Sequence, residues 1–317
     1  MEELENVSSG IEFETFLVGS RFPPEVREKE ETLWREFGIE TAEPINREFN
    51  RELGKAFGRV VGKETSRDPD VVFIVESYSG KIELQINPLY IYGRYRKLVR
   101  GGIPQTPLPD FEDSVASIVC RPFSKASGGK CVFKGGAGGR EDVDVRMLGN
   151  GRPFIVEIKR PRRRNLDLNA IAEEINASGR VEVLNLHLVS AKEAEEVLTG
   201  NHRKEYLALV RVDDGVTPEE AREVAERLRG GIEIHQRTPW RVRKARADRI
   251  RIKKVHEAEA RWLDGRHFEL RLVTDGGLYI KELVSGDRGG RTSPSVSELL
   301  GKPAWCERLD VLNILDD

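Results

Sequence analysis

Cysteine is scarce in this chain: Cys120, Cys131 and Cys306 are the only three in 317 residues, and no two of them form a Cys-x2-Cys clamp. Such a set supports neither a disulfide framework nor a zinc site, and buried or idle thiols are the expected reading. Long apolar runs are missing as well. None approaches the ~20 residues that span a bilayer, so no membrane association is expected. The first residues, Met1-Glu2-Glu3-Leu4-Glu5, have neither the basic end nor the apolar core of a secretory leader, and the expected location is cytoplasmic. The five histidines are scattered, which leaves no basis for a zinc triad or a Ser-His-Asp set. The glycine cluster at 135–139 precedes a strand-like run rather than a helix and has no Lys-Ser/Thr ending. That excludes a dinucleotide fingerprint and a phosphate loop.

What the chain does have is charge, and the charge is segregated. With 38% hydrophobic and 33% charged residues it reads as globular and solvated, and its length suits two domains. The net charge of −2 does not argue against a nucleic-acid partner, because such binding follows local distribution rather than the total. Acidic residues gather at 2–5, 25–31 and 193–196. Basic residues gather at 94–100, 159–164 and 241–254, where Asp248 is the only acid among eight Lys and Arg.

Periodicity divides the chain further. An acidic amphipathic helix is predicted from Pro24 to Phe37, after a small β-containing lead. A second helix is predicted from Pro44 to Val61, where Pro44 suits a first turn and Ile45, Phe49, Leu53 and Phe57 recur at helical spacing. Val71–Glu76 and Lys81–Ile86 read as a hairpin around Ser77-Tyr78-Ser79-Gly80. Pro104, Pro107 and Pro109 then punctuate the chain, and the domain boundary is placed there: 1–112 and 113–317. Beyond it helices and strands alternate. A hairpin is expected from 142–148 and 153–159 around Gly149-Asn150-Gly151, then a helix from Leu166 to Ala177, and strands at 181–189 and 206–212. Ser190 with Glu193 and Thr217 with Glu220 are capping boxes. The fold class is α+β.

The segment Gly139-Arg140-Glu141-Asp142-Val143-Asp144-Val145-Arg146 places an acid where the conformational freedom of the glycines ends. Alternation would set Val143 and Val145 on one face and Asp144 and Arg146 on the other, with Asp142 on the polar face. By position alone a loop carboxylate capping backbone amides is as good a reading as a catalytic one. The stretch resembles the glycine-arginine-any-aspartate element of pseudouridine synthases. Its continuation through Arg146-Met147-Leu148-Gly149 and Gly151-Arg152-Pro153-Phe154 resembles the archaeal and eukaryotic tRNA pseudouridine synthases of the T loop. Gly93 to Arg100 with Ile103-Pro104-Gln105-Thr106 resembles the segment before the catalytic domain. Asn201-His202-Arg203-Lys204-Glu205-Tyr206 resembles the tyrosine motif. Tyr279-Ile280-Lys281-Glu282, Gly286-Asp287 and Gly290-Arg291-Thr292 resemble the late basic motif. Helix, hairpin and a basic aromatic segment resemble the RNA-binding THUMP domain.

The resemblance implies a mixed, mainly antiparallel sheet with flanking helices behind an N-terminal THUMP-containing α/β domain. It implies tRNA as partner, isomerisation of uridine 55 and its neighbour 54 (tRNA numbering), a monomer, and chemistry that needs no metal or small-molecule cofactor. Asp142 takes the part of the essential carboxylate, which must stay ionised, and Lys281 is the cation expected to hold it so. On the strand pattern Lys281 would lie opposite Ile280, a further substrate contact. Arg140 would fill the space left by the extruded base. Tyr206, blandly an aromatic packed at a strand end, becomes the ring that stacks on uracil; Leu299 or Leu300 lines the same pocket. Tyr92, Arg94, Tyr95, Arg96, Lys97 and Arg100 alternate in a manner suited to phosphates and bases. Arg162, Arg243 and Lys244 are expected on phosphates rather than bases. Many family members carry two amino-terminal Cys-x2-Cys pairs; this chain has none, so a shortened or diverged N-terminus is expected. Two alternatives stand beside this reading. One is a Mg²⁺ nuclease built on Asp144, Glu157 and Lys159; the other is a tRNA-binding protein without catalysis.

Overall fold

The computed structural model describes residues 2–135, 139–200, 202–244 and 247–315. It divides into two compact units: Met1–Leu89 with Phe123–Val132 and Glu157–Asp167, and Tyr90–Pro122 with Phe133–Val156 and Leu168–Asp317. In chain order the elements start with α1 (Glu2–Ser8), β1 (Thr15–Arg21), α2 (Pro24–Glu36), α3 (Ile45–Val61), β2 (Glu64–Thr65), β3 (Val71–Glu76) and β4 (Ile82–Ile86). β1 runs parallel to β2 and β3, and β4 returns antiparallel to β3, in the order β2-β1-β3-β4. Pro44 occupies the cap position of α3, as its fixed φ and missing N–H allow, and Gly62 ends the helix in the left-handed conformation. Alternation in β3 turns Val71, Phe73 and Val75 inward. There Phe73 meets Phe13, Phe16 and Phe57 edge-on at 5.7–5.9 Å, which makes it the centre of this unit's core.

The chain continues through β5 (Leu89–Lys97), α4 (Val115–Ser127), β6 (Lys130–Gly135), β7 (Arg146–Lys159), α5 (Leu168–Asn176), β8 (Val181–Val189), α6 (Ala191–Thr199), β9 (Arg203–Val212) and α7 (Pro218–Leu228). Then follow β10 (Ile232–Arg237), β11 (Ile250–Asp264), β12 (His267–Thr274), α8 (Ile280–Ser285), β13 (Thr292–Ser293), α9 (Val296–Leu300) and β14 (Ala304–Leu315). The large sheet has the order β13-β10-β11-β12-β9-β14-β7-β5-β8, with β6 paired to β7. It is mainly antiparallel, and β14 pairs with β7 in parallel. The expected α+β class is what the chain forms. Both capping boxes close their helices, Ser190 on α6 and Thr217 on α7.

Three local expectations give way. Arg146 to Lys159 is one strand, not a hairpin. Gly149 and Gly151 have positive φ, and a Cβ on Gly149 would collide with the Leu312 carbonyl oxygen. Asn150 donates through its side chain to the Ile314 carbonyl and accepts from the Ile314 amide, so it carries the ladder across the irregularity. The Leu278–Lys281 stretch is no strand: Tyr279 caps α8, which buries Ile280, Leu283 and Val284 at helical spacing. Cys120 and Cys131 are disulfide-bonded rather than idle, and Cys306 is free. Among the described residues no helix is long and apolar enough to cross a membrane.

Candidate active site

In the second unit the segment leading into β7 meets the start of α8 and the short 3-10 turn Trp240–Val242 that follows β10. Asp142 stands at that meeting. Its Oδ1 accepts from Nη1 of Arg241 at 3.0 Å, and Lys281 Nζ lies 3.3 Å from its Oδ2. Lys281 also donates to both oxygens of Asp144 at 2.7 Å, and Arg241 donates through Nε to Glu282 at 2.7 Å. The result is an alternating string of two cations and three carboxylates. Burial alone would raise the Asp144 carboxyl, but the hydrogen bond and charge of Lys281 outweigh it and hold it below the ordinary aspartate value. Burial likewise works against the Arg241 cation, and Glu282, then Asp142, push its pKa above the ordinary value instead.

The backbone around Asp142 is fixed from beneath by buried polar groups. Lys97, fully buried, donates to the carbonyl oxygens of Asp142 at 3.0 Å and Val143 at 2.9 Å. On the preceding side Glu141 pairs with Arg152 at 3.0 Å, with both side chains buried. Tyr95 donates to Glu141 and itself accepts from Gln105 at 2.7 Å. Arg152 closes the circuit by donating to the Gly139 carbonyl. A buried ion pair is tolerable only when its remaining donors and acceptors are satisfied in this manner.

Above this floor lies a cavity of about 260 Å³. Its wall includes Arg140, Asp142, Lys204, Tyr206, Ile280 and Lys281, so the late basic motif, the tyrosine motif and the acidic motif converge on one space. Tyr206 is buried on β9 between Leu272 of β12 and Val311 of β14. Burial, opposed in small part by Arg152, pushes its phenol up to about 12, so it is neutral near pH 7. Leu300 ends α9 and is not on the wall, nor is Leu299; Leu309 of β14 is there in their place.

The expected tRNA-contacting run at 92–100 is largely inside the protein. β5 lies between β7 and β8, and its charged side chains serve the fold. Tyr95 and Lys97 are fully buried in the roles just given. Arg94 is buried and donates to the carbonyls of Asn150 and Ile314. Arg96 spans Gly149 and Glu182, Arg100 pairs with Asp310, and Tyr92 stacks obliquely on His187. Arg162, Arg243 and Lys244 are exposed, and Arg243 lies 3.4 Å over the ring of Trp240. Of the glycine loop, Gly136, Ala137 and Gly138 lie outside the described residues, as does Asn201 of the tyrosine motif. Asp144 of the alternative nuclease core is committed to Lys281, and among the described residues no three His, Cys, Asp or Glu cluster to hold a metal. Arg241 carried no sequence signal as a partner of Asp142; it read as one more member of a basic run.

Two family models match the chain. One, described as the Pus10 C-terminal domain, covers residues 90–315; the other, the archaeal Pus10 THUMP domain, covers 1–76. The chain belongs to the Pus10 family. Among curated Pus10 relatives, the tRNA pseudouridine synthase Pus10 of Pyrococcus furiosus is 61% identical over 311 residues, 98% of this chain and 79% of that protein. The tRNA pseudouridine synthase Pus10 of Methanocaldococcus jannaschii is 46% identical over 323 residues, 96% of this chain and 70% of that one. A chain of a Cbf5–Nop10–Gar1 complex aligns over 69% of this chain and 47% of its own length, at 20% identity and a TM-score of 0.40, too distant for residue-level comparison with Pus10. The Pus10 THUMP match covers α1–β3, which takes in the helix and the first hairpin strand that had pointed to that domain; the basic aromatic segment counted with them falls in the C-terminal match.

Proposed function

We propose that this Pus10 protein is a cytoplasmic tRNA pseudouridine synthase acting on the T loop, at uridine 55 and its neighbour 54, with Asp142 as the catalytic carboxylate. The observation that carries the reading is the convergence on one cavity of a carboxylate held by two cations and a buried neutral tyrosine. Arg241 and Lys281 set two positive charges against the Asp142 carboxylate. Tyr206 offers its ring to the uracil once the base has left the loop, at ~1–3 kcal/mol of stacking against the cost of unstacking. Arg140 is exposed and lines the cavity, and on this reading it occupies the space the base vacates. Arg162, Arg243 and Lys244, with the THUMP-containing part, supply phosphate contacts that set affinity rather than sequence preference.

The test is incubation of unmodified tRNA with the full chain in EDTA, followed by carbodiimide modification and primer extension. New stops at 54 or 55 are expected. Binding without stops anywhere in the T loop overturns the reading.

Lys97 supplies a second test. Because it clamps the carbonyls of Asp142 and Val143, Lys97→Met should let the carboxylate drift and slow single-turnover conversion about 10²-fold. Filter binding of tRNA should not change, since Lys97 is buried. An undiminished single-turnover rate would show that the clamp does not position Asp142.

A further inference from the structure

The first half of β11 has its charges on the inner face. Val255 is fully buried there, and the residues that share its face by alternation are Lys253 and Arg251. Directly across the ladder on β10 stand Ile234 and Gln236, both buried, so this is the packed side of the sheet. The apolar residues of the same stretch turn the other way: Ile250 is 68% exposed and Ile252 54%. A strand built for stability alone has the reverse pattern. Departures of this kind collect at functional sites.

Both basic side chains line the cavity that holds Asp142 and Tyr206. Nη1 of Arg251 donates at 2.9 Å to the hydroxyl of Thr238, which is buried and itself donates to the Ala247 carbonyl at 2.7 Å. That partner is neutral, so it orients the guanidinium without cancelling its charge. Lys253 reaches across to Gly277, where a Cβ would stand 3.7 Å from its Cε and 3.9 Å from its Nζ. The gap it crosses is fixed by Gln236, which accepts from the Tyr279 amide at 2.8 Å and donates to the Tyr279 carbonyl at 3.0 Å.

β12 separates β11 from β9, so the two cations stand two strand spacings, about 10 Å, to the side of Tyr206. A ligand that touches the tyrosine ring and both cations is longer than a uracil. What a nucleotide adds to base and ribose is a phosphodiester, whose negative charge suits an oriented guanidinium beside an ammonium. We propose that Arg251 and Lys253 seat a phosphodiester next to the target uridine; the inference rests on the function proposed above. Arg243 and Lys244 are exposed and meet the backbone as it passes outside. The β11 pair holds the phosphate whose nucleotide has entered the cavity, and a held phosphate fixes which uridine faces Asp142.

The experiment measures kcat/KM for the full chain, R251M and K253M on ligated tRNAs that differ at one linkage. One tRNA has phosphate throughout; others carry an uncharged methylphosphonate 5′ of the modified uridine, 3′ of it, or far away in the anticodon stem. On the all-phosphate tRNA each variant should lose about 10–10²-fold, and its dependence on salt should be shallower by about one phosphate contact. On the tRNA that is neutral at the seated linkage, variants and unaltered protein should agree within about threefold, while the anticodon-stem control keeps the full difference. A merely structural role gives the same loss on every tRNA, and that result overturns the proposal. So does a loss below about threefold in both variants. If neither variant folds, the unaltered protein decides. A loss of about tenfold at one flanking linkage, with none at the remote one, supports the seat, and full rate at both flanking linkages overturns it. Absence of pseudouridine with the unaltered protein on all-phosphate tRNA instead overturns the proposed function, and this inference with it.

Discussion

Asp142→Asn is expected to abolish pseudouridine formation, by on the order of 10⁴-fold or more, while tRNA binds at least as tightly as before. Asparagine keeps the volume and can still accept from Arg241 Nη1, so the neighbours need not move. What it removes is the charge. Every path open to this site, attack on ribose, attack on the base, or removal of the 2′ proton, uses an ionised carboxylate. Binding follows the phosphate contacts, and deleting a negative charge that faces a polyanion should tighten it slightly. Filter binding and carbodiimide mapping on the same tRNA separate the two effects. Conversion by the asparagine variant at more than a hundredth of the unaltered rate would remove Asp142 from its assigned role.

A large effect on stability is expected one residue earlier. Glu141→Gln leaves the Arg152 guanidinium buried without its counter-charge, and such a change costs roughly 3–5 kcal/mol. Calorimetry should show the melting temperature falling by about 10 °C. Replacing both partners, Glu141→Gln with Arg152→Met, should recover much of that loss, because the penalty belongs to the orphaned charge rather than to the missing pair. Recovery of stability would not restore turnover: the Gly139 carbonyl loses its donor in the double variant, and the support ahead of Asp142 goes with it. A single variant that melts with the unaltered protein would show that Arg152 finds its compensation elsewhere.

Much of the fold can be read from local pattern, because local physics decides it. Ser190 and Thr217 open their helices with caps that need only four residues. Val71, Phe73 and Val75 announce a half-buried strand. The acidic, tyrosine and late basic motifs are also visible as sequence. What pattern does not reveal is decided by partners far along the chain. Arg94, Arg96 and Lys97 look like surface charges until the carbonyls of 142, 143, 149, 150 and 314 are brought to them. Gly149-Asn150-Gly151 has the composition of a turn, and Asn150 finds its ladder partner in Ile314 only after folding. Four residues around Lys281 are too few to separate a period of 2.0 from one of 3.6. The leucine of the wall is Leu309 rather than Leu299 or Leu300 because wall membership depends on which strand lies beside β9, and that strand is β14.

That placement makes β14 a spacer as well as a wall. Asp142 precedes β7 and Tyr206 sits on β9, and these two strands do not touch; β14 lies between them. The distance between the carboxylate and the aromatic ring is therefore set by the width of one strand, and Leu309 and Val311 of that strand face the cavity between them. A register slip of β14 by one residue would turn those two side chains away and alter the cavity without touching either Asp142 or Tyr206.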